Sequence, residues 1–217
     1  MDHQKRQKYE IALEVLGKAP TRSSDQLEVA ICLTQLSKYR DALHFYGQAL
    51  GGFLEDRFWF RTSQPNWLVD TFILAKRPEL YHQVQEEVEA YKRDPRGNSL
   101  VALYSYALVC LIAEEDEEAG SYVHGLLKKP KIKWTFAMGQ TIQAIIAGEQ
   151  SAFDAALDAL LQAHRGMAKF GGLRETPEGF LCLPAMSLSK MALDRGMGLN
   201  AESEYLAKEY LEYIHVP

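Results

Sequence analysis

The residue types best able to do chemistry in this chain are six histidines, three cysteines and one run of five carboxylates. Metal sites need His, Cys, Asp or Glu at close, repeated spacing. His3, His44, His82, His124, His164 and His215 are scattered, and none stands in such a pattern. Cys32, Cys110 and Cys182 lie far apart in apolar settings (AICL, LVCLI, FLCLP), which reads as buried thiols rather than a disulfide or a metal set. A hydrolase elbow GxSxG, a phosphate loop GxxxxGK[ST] and a dinucleotide loop GxGxxG after a strand are all missing. The chain therefore reads as carrying no catalytic residue, no metal and no cofactor, and as no enzyme.

The carboxylate run Glu114-Glu115-Asp116-Glu117-Glu118 admits two readings. Acidic groups are favoured in the first turn of a helix, where they face the positive end of its dipole and stay solvated. The other reading is an electrostatic patch that meets a basic partner. Lys128, Lys129, Lys131 and Lys133 form a small basic knot, read as a helix end plus linker, too small for a nucleic-acid surface. The segment RFWFRTSQPNWLVDTF also stands open. Its rings pack in the core, or Phe58, Trp59, Phe60 and Trp67 join Arg57 and Arg61 as anchors of an interface.

The elements that must position these groups are helices. Apolar residues recur at helical spacing throughout, while alternating β-branched runs are nearly absent. Helices are expected near 2–18, 24–36, 38–54, 66–75, 78–92, 98–113, 115–128, 133–147, 149–165, 180–195 and 202–213. Breaks fall at Lys18-Ala19-Pro20, Arg77-Pro78, Asp94-Pro95-Arg96-Gly97, Lys129-Pro130 and Gly171-Gly172. Ser24 and Ser151 read as N-caps; the pairs Gly51-Gly52 and Gly171-Gly172 read as left-handed helix ends. Short connections make consecutive helices antiparallel neighbours. The stretch SKYRDALHFYGQAL places Ala42, Tyr46 and Ala49 at the small–aromatic–small spacing of a tetratricopeptide-like helix pair, and looser copies surround Ala119 and Ala155. The expected fold is all-α: an irregular, solenoid-like array of about ten to eleven antiparallel helices. It is read as one helical domain over residues 1–217, with a looser half 1–95 and a second half 98–217.

Bulk properties narrow the partners. A chain of 217 residues that is 47% hydrophobic and 24% charged has the balance of a globular domain, and buries about 70% of its unfolded surface. The net charge of −5 argues against nucleic acid or an acidic membrane. Residues 1–110 carry 14 basic and 14 acidic side chains, residues 111–217 carry 10 and 15, so the second half holds the whole excess. No apolar run reaches a membrane span, and MDHQKRQKYE lacks the apolar stretch of a secretion signal, so a cytoplasmic protein is expected.

The stretch LLQAHRGMAKFGGLRETPEGFLCLPAMSLSKMALDRGMGLNAESEYL carries one resemblance. A helix ends at His164, a loop leads to Pro177-Glu178-Gly179-Phe180, an apolar helix closes on Asp194-Arg195-Gly196, and the step Glu202-Ser203-Glu204-Tyr205-Leu206 follows. In this order the features resemble the C-terminal signature of the immunity protein 49 family of bacterial polymorphic-toxin systems, over about 50 residues. The chain departs from the pattern at Ala207, where a proline is expected after the Tyr-Leu step.

Several of those positions have packing explanations. Thr176-Pro177-Glu178 suits a helix start; Leu181, Leu183, Met186, Leu188, Met191 and Leu193 suit a buried face; Gly196 suits a helix end. His164, Arg165, Arg174, Glu175 and Glu178 are expected to form a polar cluster, either a site or a loop clamp. The resemblance implies an immunity protein that neutralises a cognate toxin, in bacterial competition of the type VI secretion kind, by stoichiometric binding. An acidic half suits a basic, nuclease-like toxin. The alternative is a helical-repeat adaptor or regulator that binds some other protein.

Overall fold

The computed structural model of the chain describes residues 3–16, 20, 22–56, 65–174 and 176–215. Among them lie eleven α-helices and no strand. They are α1 (His3–Leu16), α2 (Ser23–Gln35), α3 (Tyr39–Asp56), α4 (Pro65–Ala75), α5 (Tyr81–Lys92), α6 (Leu100–Ile112), α7 (Asp116–Leu127), α8 (Lys133–Ala147), α9 (Gln150–Phe170), α10 (Leu183–Asp194) and α11 (Lys208–His215). Short 3-10 turns at Pro78–Leu80, Pro95–Asn98 and Pro177–Gly179 follow the prolines that stop the preceding chain.

Four helix ends share one device. After α2, α6, α8 and α10 the backbone turns left-handed at Ser37, Glu114, Gly148 and Gly196, with φ of 59°, 61°, 66° and 78°. Each end closes with a pair of reversed hydrogen bonds, such as Glu115 N–H to the Cys110 carbonyl at 2.9 Å and Met197 N–H to the Ala192 carbonyl at 3.0 Å. Gly196 thus ends α10 as expected. The other glycine expectations are corrected: Gly51 and Gly52 lie inside α3, and Gly171 is extended rather than left-handed. Ser24 and Ser151 each sit one residue inside their helices, so neither is a cap. The serine that caps is Ser99, whose hydroxyl accepts from Ala102 N–H at 3.2 Å.

Helices α1 to α4 pack each on the next, and so do α6 to α9. Helix α10 then returns to pack on α4 and α8, a closure that an open stack of helix pairs lacks. It is buried all round, Ser187 and Ser189 included, which explains why its apolar residues exceed one face. Leu193 alone of the expected face is only half-buried. Cross-links join distant sequence: Gln35 donates to the Phe180 carbonyl at 2.6 Å, and Tyr210 OH to the Leu74 carbonyl at 2.8 Å. Ala42, Tyr46, Ala49 and Ala119 are fully buried between helices as the repeat-like spacing requires. Ala155 is exposed, and its neighbour Ala156 takes the inward position.

Helix α9 continues to Phe170, beyond the end expected at His164 or Arg165, and two helix starts move for physical reasons. Helix α10 starts at Leu183 rather than 180, because Cys182 N–H is held by the Tyr205 carbonyl at 2.9 Å and Pro184 sits in the first turn. Helix α11 starts only at Lys208, since residues 202–207 are drawn into a turn in which Ser203 accepts from Tyr205 N–H and Leu206 N–H. Ala207 directly precedes that helix, and its carbonyl accepts from Tyr210 and Leu211.

Candidate functional site

Helix α9 carries a clean apolar stripe, Phe153, Ala156, Leu157, Leu160, Leu161, and the next position on that stripe is His164. Helical spacing therefore drives an imidazole into the interior, where it is 1% exposed. Its ring lies 5.7 Å from that of Trp134 on α8 and 4.9 Å from that of Tyr205. Neither ring nitrogen has a partner in hydrogen-bonding geometry. Burial lowers its pKa to about 4, and the nearby Gly179 backbone offsets this only in part, so the ring is neutral at physiological pH.

His164 faces a cavity of about 250 Å³. Trp67, Trp134, Met138, Met167 and Leu181 supply apolar walls, and Asn66, His164, Thr176 and Glu178 supply polar atoms. Three of these polar groups are orphaned. Asn66 Oδ1 and Glu178 Oε2 are buried without a hydrogen-bond partner, as are both His164 nitrogens. Buried polar groups are nearly always satisfied, and these three come from separate elements, α4, α9 and the Pro177–Gly179 turn. Behind Asn66, whose Nδ2 donates to Asp70 at 3.3 Å, lies a second polar layer. Asp70 is fully buried and accepts from Tyr104 OH at 2.9 Å. Burial pushes its pKa up to about 7, with Ser187, Tyr104 and Asn66 pulling it part of the way back.

No family model, no curated protein and no solved structure matches the chain. The site's geometry must carry its own argument.

The polar cluster expected from sequence is divided. His164 and Glu178 meet in the cavity. Arg165 follows His164 on the helix, about 100° around the axis, and so points away. It is exposed and lines a groove with Glu202, Glu204 and Tyr205. Arg174 is exposed in another groove, of about 830 Å³, against α1. That groove also holds Glu28, whose carboxyl is pushed up to about 7 by burial and by the negative Glu178 and Asp25. Glu175 lies outside the described residues.

The acidic run forms the corner between α6 and α7. Glu114 is the left-handed residue of that corner, and Glu115 stands at the N-cap position of α7. Asp116 is engaged: Arg195 donates to both its oxygens, at 3.0 and 2.6 Å, and to the Leu111 carbonyl at 3.2 Å. Glu118 accepts from Tyr122 OH at 3.0 Å. Glu114, Glu115, Glu117 and Glu118 are exposed. Cys110 Sγ and carboxylate oxygens of Glu115 and Glu118 lie within 4.8 Å of one another, but burial pushes that thiol up to about 11, which opposes the thiolate a metal needs. All three cysteines are buried and free.

Trp67, one of the aromatic candidates, is half-buried and lines the cavity. Phe58, Trp59 and Phe60, with Arg57 and Arg61, lie outside the described residues. Sequence reasoning missed Asn66, Asp70, Tyr104 and Trp134. For Asp70 a signal existed, since an acid within the apolar NWLVDTF run is either exposed or specially held. No helix among the described residues is long and apolar enough to cross a membrane.

Proposed function

We propose that the protein is an immunity protein that binds a cognate toxin one to one in the cytoplasm and blocks it by occupying its surface. The resemblance over residues 160–206 supports the reading, because its spaced features meet in space. His164, Glu178 and Leu181 line one cavity, and the Cys182–Tyr205 hydrogen bond ties the following segments together.

The observation that carries a binding role is the groove along α1. Ile11 and Val15 stand 51% and 81% exposed there, beside Pro177 and Phe180, with Lys8, Lys169 and Arg174 at the rim. Exposed aliphatic groups next to a groove, rimmed by charge, have the anatomy of an interface. The basic residues of the groove would meet acidic groups of the toxin, while the acidic corner at Glu114–Glu118 supplies long-range attraction to its basic face.

The test is co-expression with the product of an adjacent toxin-like reading frame. Growth should be restored, and titration calorimetry of the purified pair should give one binding site per chain. Protection by far fewer copies than toxin molecules, or the lack of any complex, would sink the proposal.

A further inference from the structure

We propose that the groove along α1 receives a single helix of the partner protein, one with an apolar stripe flanked by carboxylates. The inference rests on the reading of this groove as the toxin-binding surface, and it names what enters it.

Helix α1 is apolar on two sides. Tyr9 and Leu13 turn inward: Tyr9 is buried with its ring 4.8 Å from that of Phe180, and Leu13 packs on the core. Ile11 and Val15, one helical turn apart, stand exposed on another face. A helix with two apolar faces calls for two neighbours, and α1 packs chiefly on one, α2. Of the five large apolar side chains exposed among the described residues, Ile11, Val15 and Phe170 stand on α1 and α9, the helices that wall the groove. Unmet apolar surface is therefore gathered on these two helices.

The walls choose a helix. Lys8, Ile11, Ala12, Val15 and Leu16 line the groove from α1, in the rows three and four residues apart that receive the ridges of another helix. They run along more than two turns, which suits a rod-like segment rather than one side chain. Addition of a strand needs a free sheet edge, and the described residues hold no strand. A proline-rich segment needs a groove lined with rings, and Phe180 is the only ring in this one among the described residues. A concave floor between two helices also suits a helix better than a flat membrane surface.

Charge sets the flanks. Lys8, Lys169 and Arg174 stand exposed at the rim, on α1, on α9 and in the turn after it. Glu28, the groove's one carboxyl among the described residues, is half-buried; burial, Glu178 and Asp25 push its pKa up to about 7. Near neutral pH it opposes an acidic helix only in part. Three cations against one weakened carboxyl select a partner helix edged with Asp and Glu.

The test uses the full chain and labelled peptides of about eighteen residues: leucines in one helical stripe with glutamate flanks, the same stripe with lysine flanks, and the glutamate composition scrambled. Fluorescence anisotropy should show the acidic stripe binding at least about ten-fold more tightly than either control. The double change Lys169→Glu, Arg174→Glu should lose about ten-fold, and so should Val15→Ser, both melting like the parent because these side chains are exposed. Equal binding of the lysine or scrambled peptide, or parental affinity in these variants, would overturn the assignment. Pelleting with vesicles of phosphatidylcholine and phosphatidylglycerol, or a dimer in ultracentrifugation, either one lost in Val15→Ser, would overturn it in favour of a membrane or a second copy. The toxin complex separates this inference from the reading it rests on. Hydrogen exchange of the pair should protect α1 and the end of α9. A complex that leaves α1 unprotected overturns the helix and keeps the immunity reading; no complex, beside a tight acidic peptide, keeps the helix and sinks that reading.

Discussion

The acidic corner between α6 and α7 and the cavity under α9 hold carboxylates in opposite situations. At the corner five acids crowd together, yet four are exposed and the fifth, Asp116, is paired with Arg195. In the cavity few polar groups meet, drawn from separate helices, and three are buried without partners. Density of charge in sequence marked the first; the second was assembled from residues far apart in the chain, of which only His164, Glu178 and Trp67 stood out. A concentration of charge along a chain is usually a surface that folding can leave wet. Polar atoms buried without partners are costly, about 1–3 kcal/mol each, so a folded chain carries few of them.

The largest expected effect probes the layer behind the cavity. Burial raises the pKa of Asp70 to about 7, above the ordinary 3.8. Its stabilising contribution is fully present below about pH 4 and is lost as pH rises through about 7. His164 runs the other way, with its contribution present above about 6.5 and lost as pH falls through about 4. Asp70→Asn removes the first titration. Between about pH 4 and pH 8, urea denaturation should show the variant gaining on the parent by on the order of 2–4 kcal/mol. Parallel curves for the two proteins would mean that Asp70 is ionised throughout.

Next comes Gly179, which supports Glu178. A Cβ there would meet the Leu173 carbonyl oxygen at 2.1 Å. Gly179→Ala should cost about 1–3 kcal/mol in denaturation, because the turn must move to admit the methyl group. A variant as stable as the parent would show that the turn yields at little cost.

The corner should respond more mildly. Arg195→Ala and Asp116→Ala should each cost about 1 kcal/mol, and a double-mutant cycle should find most of it shared, because the partners are 22% and 41% exposed. The smallest effects belong to the remaining acids. Replacing Glu114, Glu115, Glu117 and Glu118 by Gln should change stability within about 0.5 kcal/mol, while Glu114→Gly should raise it by up to about 1 kcal/mol by relieving the left-handed backbone. Melting curves separate these two outcomes. A loss of stability in Glu114→Gly would remove the account of that corner.

What the sequence by itself determined was helical content and most of its punctuation. Periodicity and prolines act locally, and the stops at Arg77-Pro78, Lys129-Pro130 and Gly196 stand where expected. The buried thiols and the inward face of α10 were legible for the same reason, since burial follows from apolar neighbours at helical spacing. Part of the site was legible too: His164 and Glu178 stood out as polar residues without a packing role. Arg165 did not join them, because one residue along a helix turns a side chain to another face, and Arg174, in the turn after α9, lines the groove along α1 instead.

Only the tertiary structure decided the rest. The return of α10 onto α4 and α8 brings Asn66 and Trp67 to the same enclosure as Trp134, His164 and Glu178. No local pattern encodes that meeting, because contacts between distant segments depend on how whole helices pack. The Cys182–Tyr205 bond likewise delays the start of α10, a choice set by a partner more than twenty residues away. Sequence dictates which face of each helix is apolar; which faces then enclose a cavity is settled by packing, where the free energy of burial is summed over all of them at once.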